Sequence, residues 1–127
     1  MAARLWLENA FSRPEPVRLA WITILAFLRI GTSPRAFPYP LSPAEAGEIV
    51  AEWFARPMVA TLEPGERHWS ILSHLLTATQ ARGPLVMDAH LAALAIEHGA
   101  TLCTTDQDFT RFPNLRLLNP LDPAHGL

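Results

Sequence analysis

The stretch DAHLAALAIEHGATLCTTDQDF, residues 88–109, decides the fold of this chain. It predicts a helix that begins at Asp88 and ends at a glycine, followed by a short apolar strand over residues 100–104. Asp106 and Asp108 come directly after that strand. In α/β folds the segments beyond the carboxyl ends of the strands face the ligand crevice. We therefore expect both carboxylates to lie where a ligand binds.

Helices and short apolar strands alternate along the rest of the chain. The helix over residues 21–30 is apolar on every side and is predicted to be buried, and the four tryptophans are predicted core residues. Ser42 and Glu45 form a capping box at the start of the next helix. Such alternation is typical of an α/β fold with a mostly parallel sheet covered by helices on both faces. Strands are predicted near 17–20, 58–62, 101–104 and 115–118, and helices near 2–11, 21–30, 42–55 and 66–80, besides the helix that begins at residue 88.

The composition predicts one globular domain over residues 1–127. Half of the residues are hydrophobic and 17% are charged. The formal net charge of −2 gives no electrostatic case for nucleic-acid binding by the chain as a whole. All ten basic residues are arginine, which excludes a lysine-containing phosphate loop and lysine-based catalysis.

A single cysteine, Cys103, excludes an intramolecular disulfide and fits a reducing compartment. Because it lies inside an apolar strand, we predict a buried, inert thiol. The apolar run over residues 19–28 is too short to cross a membrane, and the first residues lack the pattern of a signal peptide. The prediction is a cytoplasmic protein without a membrane partner.

Asp88, Asp106 and Asp108 are candidate metal ligands. Each has an ordinary explanation by itself, because aspartate is favoured in the first turn of a helix and in the turn after a strand. If the three converge, however, their mutual repulsion requires a counter-charge, and a divalent cation such as Mg²⁺ supplies it. A metal held there would suit phosphoryl chemistry, in which it activates water and stabilises the leaving oxygen.

Two further observations concern basic side chains. Arg29 is the lone charge of the apolar helix, and it either pairs with a carboxylate for structural reasons or faces the acidic crevice and binds a phosphate. The five histidines show no metal-binding spacing. His90 and His98 are predicted to have exposed polar roles or to act as local caps.

Three segments together resemble the PIN-domain ribonucleases, in particular the VapC-type toxins of type II toxin–antitoxin systems. They are ARLWLE at 3–8, AFLRIGTSPRAFPYPLSPAEA at 26–46, and DAHLAALAIEHGATLCTTDQDFTRFPNLRLLNPL at 88–121. The resemblance implies a three-layer α/β/α domain with a short, mostly parallel sheet. It also implies Mg²⁺-dependent endonucleolytic cleavage of RNA, with Mn²⁺ as a possible substitute, inhibition by a cognate antitoxin, and a homodimer.

The same resemblance assigns roles to individual residues. Asp88 and Asp106 match the metal-binding acids of the family, Asp108 matches a further acid, and Thr104 matches the hydroxyl residue of the T-x-D motif. All four are therefore implied catalytic positions, with Asp88 and Asp106 as the metal ligands. Arg29 is the candidate for substrate binding.

Two parts of the family pattern are absent from this sequence. The family's first strand, which ends in an aspartate within a pattern like L-D-T-N-V-L, has no counterpart, and Ala26 stands where many members have glutamate. The resemblance thus implies a chain that lacks the first central strand and binds Mg²⁺ weakly, because each missing carboxylate removes a ligand and a charge. The alternative function is a catalytically impaired or inactive toxin that only binds an antitoxin or itself.

Overall fold

Residues 16–120 are described by the computed structural model, and their contacts divide them into two units, 16–62 and 63–120. The predicted helix over residues 2–11 lies outside the described residues, as does most of the tail after residue 118. The single domain over residues 1–127 stays a prediction. Within the described part of the chain, no helix combines the length and the apolarity needed to span a membrane.

The unit 16–62 holds one parallel pair of strands and two helices. Strands β1 and β2 pair in parallel, with Val17 opposite Val59 and Ala20 opposite Leu62. Parallel strands need a long crossover between them, and the two helices with their connecting loop supply it. The elements are β1 (Val17–Ala20), α1 (Trp21–Gly31), α2 (Pro43–Phe54) and β2 (Val59–Leu62).

Helix α2 begins at the predicted capping box. The Ser42 hydroxyl accepts a hydrogen bond from the Glu45 backbone N–H at 3.1 Å, and the Glu45 carboxylate accepts one from the Ser42 N–H at 2.8 Å. Pro43 occupies the first helical position, where its missing N–H costs nothing. These bonds to Ser42 lower the pKa of Glu45. The capping-box prediction is confirmed.

Helix α1 is not buried on every side, so that prediction is wrong. Ile24 is its one fully buried residue, whereas Trp21 and Leu25 are 48% and 58% exposed. The helix packs on α2 along one face, where Phe27 lies 4.9 Å from Trp53 between ring centroids. A helix with so few polar residues does not indicate which face stays in solvent, and the apolar pattern therefore predicts burial on every side.

The unit 63–120 holds two helices, a second parallel pair of strands and a 3-10 helix. Strands β3 and β4 pair in parallel, with Thr101 opposite Arg116 and Cys103 opposite Leu118. The elements are α3 (His68–Thr79), α4 (Pro84–Glu97), β3 (Thr101–Cys103), the 3-10 helix (Gln107–Arg111) and β4 (Arg116–Leu118). Alternating helices and short parallel strands confirm the predicted α/β class.

The core of this unit is built on the small residues of α4. Its buried members come from both helices and from the segment after β3, and small side chains let α3 approach α4 closely. They are Leu75, Ala89, Ala92, Ala93, Phe109 and Phe112.

Helix α4 begins at Pro84, four residues before the predicted start at Asp88. Gly83 has a φ of 57°, which a glycine adopts without steric cost, and Pro84 then fixes a helical φ at the first position. Asp88 consequently lies in the second turn, so capping does not explain it. The end of the helix is as predicted, because Gly99 has a φ of 64° just beyond it.

Two predictions of burial are wrong. Cys103 is exposed as a residue, although partial burial of its thiol raises the pKa to about 11 and keeps it protonated near neutral pH. Trp69 is 69% exposed and, with Trp21, lies outside the core. Hydrophobic spacing places these residues on helices and strands but does not show which of them meet a neighbouring element.

Candidate active site

Three carboxylates converge in the unit 63–120. Asp88 projects from the second turn of α4, Asp106 lies between β3 and the 3-10 helix, and Asp108 is in the first turn of that helix. One oxygen of each lies within 4.8 Å of the others. Asp88 is half-buried, while Asp106 and Asp108 are exposed. The structure thus brings together the three acids that the sequence singled out.

Local hydrogen bonds fix the loop that carries two of these acids. The Thr104 hydroxyl oxygen accepts a bond from the Asp106 N–H at 3.1 Å, and Asp106 Oδ1 accepts one from the Asp108 N–H at 2.8 Å. Phe109, next in sequence, is buried in the core and anchors the 3-10 helix. Thr104 therefore shapes the loop, and its predicted catalytic role stays a prediction.

Burial and the neighbouring charges both act on the Asp88 carboxyl group. Partial burial raises the pKa of Asp88, and the negative charges of Asp106 and Asp108 raise it further. Arg111 acts in the opposite direction on the same carboxyl group. The net shift of the Asp88 pKa is upward, and partial burial is its largest cause.

Arg111 is the residue of this site that the sequence reasoning missed. Its Nε donates a hydrogen bond to the Asp108 carbonyl oxygen at 3.1 Å, and its Nη2 lies 3.4 Å from Asp108 Oδ1. The signal for it was available, since an arginine three residues after an aspartate in a helical segment can reach that aspartate.

The donor set fits a hard divalent cation. All three groups offer oxygen, which Mg²⁺ and Mn²⁺ prefer. With one oxygen of each acid within 4.8 Å of the others, adjustment of the side chains can bring all three to a common cation. Exposure leaves the side chains of Asp106 and Asp108 free to make that adjustment and leaves room for water ligands.

Arg29 lies in the last turn of α1, in the other unit, and is exposed. A cation in the last turn of a helix is favoured by the helix dipole, which gives Arg29 a structural reason to be there. Its role in substrate binding stays a prediction.

A second polar cluster joins α3 to α4. His68 is buried, and its Nε2 lies 2.9 Å from Nδ1 of the half-buried His90, with the two rings edge to face. Burial lowers the pKa of His90, and so does the neighbouring His68. The prediction that His90 has an exposed polar role or caps a helix locally is therefore wrong. Spacing could not reveal a contact between residues 22 positions apart.

Glu97 completes this cluster at the end of α4. Its carboxylate accepts hydrogen bonds from the backbone N–H groups of Gly65 at 2.9 Å and Arg67 at 3.1 Å. The bond from Gly65 is the main cause of a lowered pKa for Glu97. His98 is exposed and its Nε2 lies 2.8 Å from the Glu63 carbonyl oxygen, which agrees with the predicted exposed polar role, although the partner is 35 residues away and the contact is not a local cap.

Comparison with known proteins agrees with this architecture. The PIN-domain family model matches residues 1–115. Ribonuclease VapC37 of Mycobacterium tuberculosis is 43% identical over 115 residues, which cover 91% of this chain and 80% of the relative. Ribonuclease VapC43 of the same organism is 40% identical over 116 residues, which cover 91% and 79%.

A solved structure gives the same result for the fold. VapBC2 from Rickettsia felis, bound to a DNA fragment from its promoter, superimposes with a TM-score of 0.67 at 19% identity. The superposition covers 93% of this chain and 84% of that one. The chain therefore belongs to the PIN-domain family, among the VapC ribonucleases.

Proposed function

We propose that this chain is the toxin of a type II toxin–antitoxin system and acts as a Mg²⁺-dependent endoribonuclease. The observation that carries the proposal is the convergence of Asp88, Asp106 and Asp108 on one point in a member of this family. The relatives at 43% and 40% identity are named ribonucleases, which supports cleavage of RNA. The single cysteine agrees with activity in the cytoplasm.

In this proposal Asp88 and Asp106 hold the cation, Mg²⁺ or in its place Mn²⁺. Bound there, the cation supplies an activated water and stabilises charge on the phosphate oxygens. Asp106 is kept in place by the Thr104 hydroxyl, which binds its backbone N–H. Asp108 is exposed, and we assign its carboxylate to accept the proton of the attacking water.

The partners in this proposal are RNA, a cognate antitoxin and a second copy of the chain. A solved structural neighbour is a VapBC assembly, and this supports the antitoxin partner. The apolar surface of α1, with Trp21 and Leu25 exposed, is available to a protein partner.

A second candidate function is binding of the antitoxin or of another copy without cleavage of RNA. The observation that favours it is Ala26, a residue of α1 at the position where the family resemblance implies glutamate. Fewer carboxylates mean weaker binding of Mg²⁺, and an apolar helix surface serves association equally well with or without catalysis.

The test of catalysis is Asp88→Asn, an uncharged substitution of similar size. We expect Mg²⁺ binding by calorimetry to be lost and cleavage of an RNA oligonucleotide to fall by at least about 100-fold, because a ligand and a charge are removed together. Glu52→Gln, which neutralises an exposed acid of α2, is the matched control and should behave as the wild type. Cleavage that persists unchanged in Asp88→Asn contradicts the assignment, whereas an inactive but folded wild type supports the second candidate.

A further inference from the structure

The position of Arg111 beside the three carboxylates has a specific chemical use. Its Nε–H donates to the Asp108 carbonyl oxygen at 3.1 Å and its Nη2 lies 3.4 Å from Asp108 Oδ1, so the guanidinium lies against Asp108, one of the three acids. Its positive charge also lowers the pKa of Asp88, so Arg111 acts on a second acid of the cluster.

The pairing between Arg111 and Asp108 is weak and easily exchanged. The distance of 3.4 Å from Nη2 to Oδ1 is longer than the roughly 2.7–2.9 Å of a strong charge-assisted bond. The Arg111 side chain is 41% exposed, and an ion pair in water contributes little. A guanidinium has five N–H donors in a planar fork, so most of them remain available to an incoming anion.

The balance of charge favours such an anion once a metal is bound. Three carboxylates and one divalent cation leave a net negative charge, which repels the phosphodiester of RNA. The positive charge of Arg111 cancels it. An RNA phosphate bound at the acidic cluster can then take the place of Asp108 as the partner of the guanidinium fork.

We propose that Arg111 binds the RNA phosphate at the acidic cluster and is a substrate-binding residue of the cleavage site. This inference rests on the proposed function and gives that site its phosphate contact. The competing explanation is that Arg111 only fixes the 3-10 helix through its bond to the Asp108 carbonyl oxygen. The two explanations differ in what they predict for metal binding and for charge.

The test compares Arg111→Ala and Arg111→Lys with Arg82→Ala, an exposed arginine of the same unit that lies outside the cluster. For each variant, kcat/KM on an RNA oligonucleotide and Mg²⁺ affinity are measured, with thermal unfolding as the check of folding. We expect Arg111→Ala to lower kcat/KM by about 10- to 100-fold, in line with the loss of one phosphate contact. Arg111→Lys should recover part of the loss, because it keeps the charge without the fork.

Metal binding gives the result that separates the two explanations. Mg²⁺ affinity in Arg111→Ala should stay equal or rise, since a cation next to the carboxylates has been removed. The slope of log(kcat/KM) against log(salt) should become shallower by about 0.7, as expected for one phosphate contact on a single strand. A loss of Mg²⁺ affinity in a folded Arg111→Ala overturns the proposal in favour of the structural explanation. Equal losses of kcat/KM in Arg111→Ala and Arg82→Ala overturn the proposal, because any exposed positive charge of the protein would then have the same effect.

RNA binding separates this inference from the proposed function. Fluorescence anisotropy with a labelled, cleavage-resistant RNA in the presence of Mg²⁺ reports on phosphate binding whether or not the wild type cuts RNA. A Kd at least about 5-fold higher for Arg111→Ala than for Arg82→Ala supports the inference even when cleavage is absent. Equal Kd values overturn it even when the wild type is active.

Discussion

Asp88 is the acid of the cluster that is partly withdrawn from water. Its pKa is raised by burial and then by the charges of Asp106 and Asp108. A proton and a divalent cation compete for the same carboxylate, so Mg²⁺ affinity should begin to fall at a higher pH than for an ordinary aspartate. The half-buried position of Asp88 thus has a measurable effect on function.

Carboxyl ¹³C NMR titration of the metal-free protein tests this prediction. We expect the pKa of Asp88 to lie above 3.8, the ordinary value for aspartate, and to fall when Asp106 and Asp108 are both changed to Asn. Arg111→Ala should move it upward, because the guanidinium lowers it in the wild type. An Asp88 that titrates at or below 3.8 in the wild type contradicts the described surroundings.

At the residue scale, the sequence predicts the three acids of the site but does not single out Arg111, the arginine that accompanies them. Asp106 and Asp108 were predicted from one rule, that loops after parallel strands face the crevice. Arg111 follows the same strand, but the pattern does not single it out, because it lies in a polar loop next to acids, whereas Arg29 is the lone charge of an apolar helix. A charge that stands out from apolar neighbours is easier to notice than one that pairs with a neighbour in a polar loop.

Helix α2 shows how a local motif decides an element. The two hydrogen bonds between Ser42 and Glu45 satisfy backbone and side-chain groups within four residues of sequence. Removing the hydroxyl in Ser42→Ala leaves the Glu45 N–H without its acceptor. We expect a loss of about 1 kcal/mol in the free energy of unfolding, measured by urea denaturation.

The control for this prediction is Glu48→Gln, an exposed change within the same helix that has no part in the cap. It should alter stability by less than about 0.5 kcal/mol. If Ser42→Ala changes the free energy of unfolding no more than Glu48→Gln does, the capping box does not stabilise the folded state relative to the unfolded chain.

At the element scale, predictions succeeded where the cause was local. The cap of α2 and the glycine after α4 are both set by residues next to them in sequence. The predicted start of α4 at Asp88 is wrong because aspartate is typical of a first helical turn, whereas here Gly83 and Pro84 determine the boundary. Which face of α1 is exposed depends on the elements that pack against it. The periodicity of apolar residues does not give this information.

The contact between His68 and His90 links two elements and makes the stability of the fold depend on pH. The pKa of His90 is lowered in the folded protein, first by burial and then by His68. The unfolded chain, with histidine near about 6.5, therefore binds more protons as the pH falls through that value. Stability should be fully present above this pH and should decrease between about pH 7 and the lowered pKa.

Urea denaturation at pH 7.5 and 5.5 measures this effect on the whole molecule. We expect the wild type to lose stability at the lower pH and His90→Asn to lose less, because asparagine has no proton to take up. His74→Asn, at an exposed position of α3, should lose as much stability between pH 7.5 and 5.5 as the wild type does. If the free energy of unfolding of His90→Asn depends on pH as strongly as that of the wild type, titration of His90 does not explain the pH dependence. Glu97, whose pKa is lowered, contributes only at still lower pH.

At the scale of the whole molecule, the sequence was sufficient for the class and the family but not for the contacts between distant segments. Alternating helices and strands are visible in the pattern of apolar residues, and three segments carried the family resemblance. The pairing of His68 with His90 and the reach of Glu97 back to residues 65 and 67 depend on how α3 packs against α4. Such contacts become visible only when the chain is folded.

The hydrogen bond between the Glu97 carboxylate and the Gly65 N–H restricts which residues can occupy position 65 in related sequences. A methyl group at position 65 would collide with the Glu97 carboxylate, which cannot move away without releasing the N–H groups of Gly65 and Arg67. Glycine at 65 and glutamate at 97 are therefore expected to be inherited as a pair. Descendants that acquire a side chain at position 65 should first, or at the same time, have replaced the glutamate with a shorter residue.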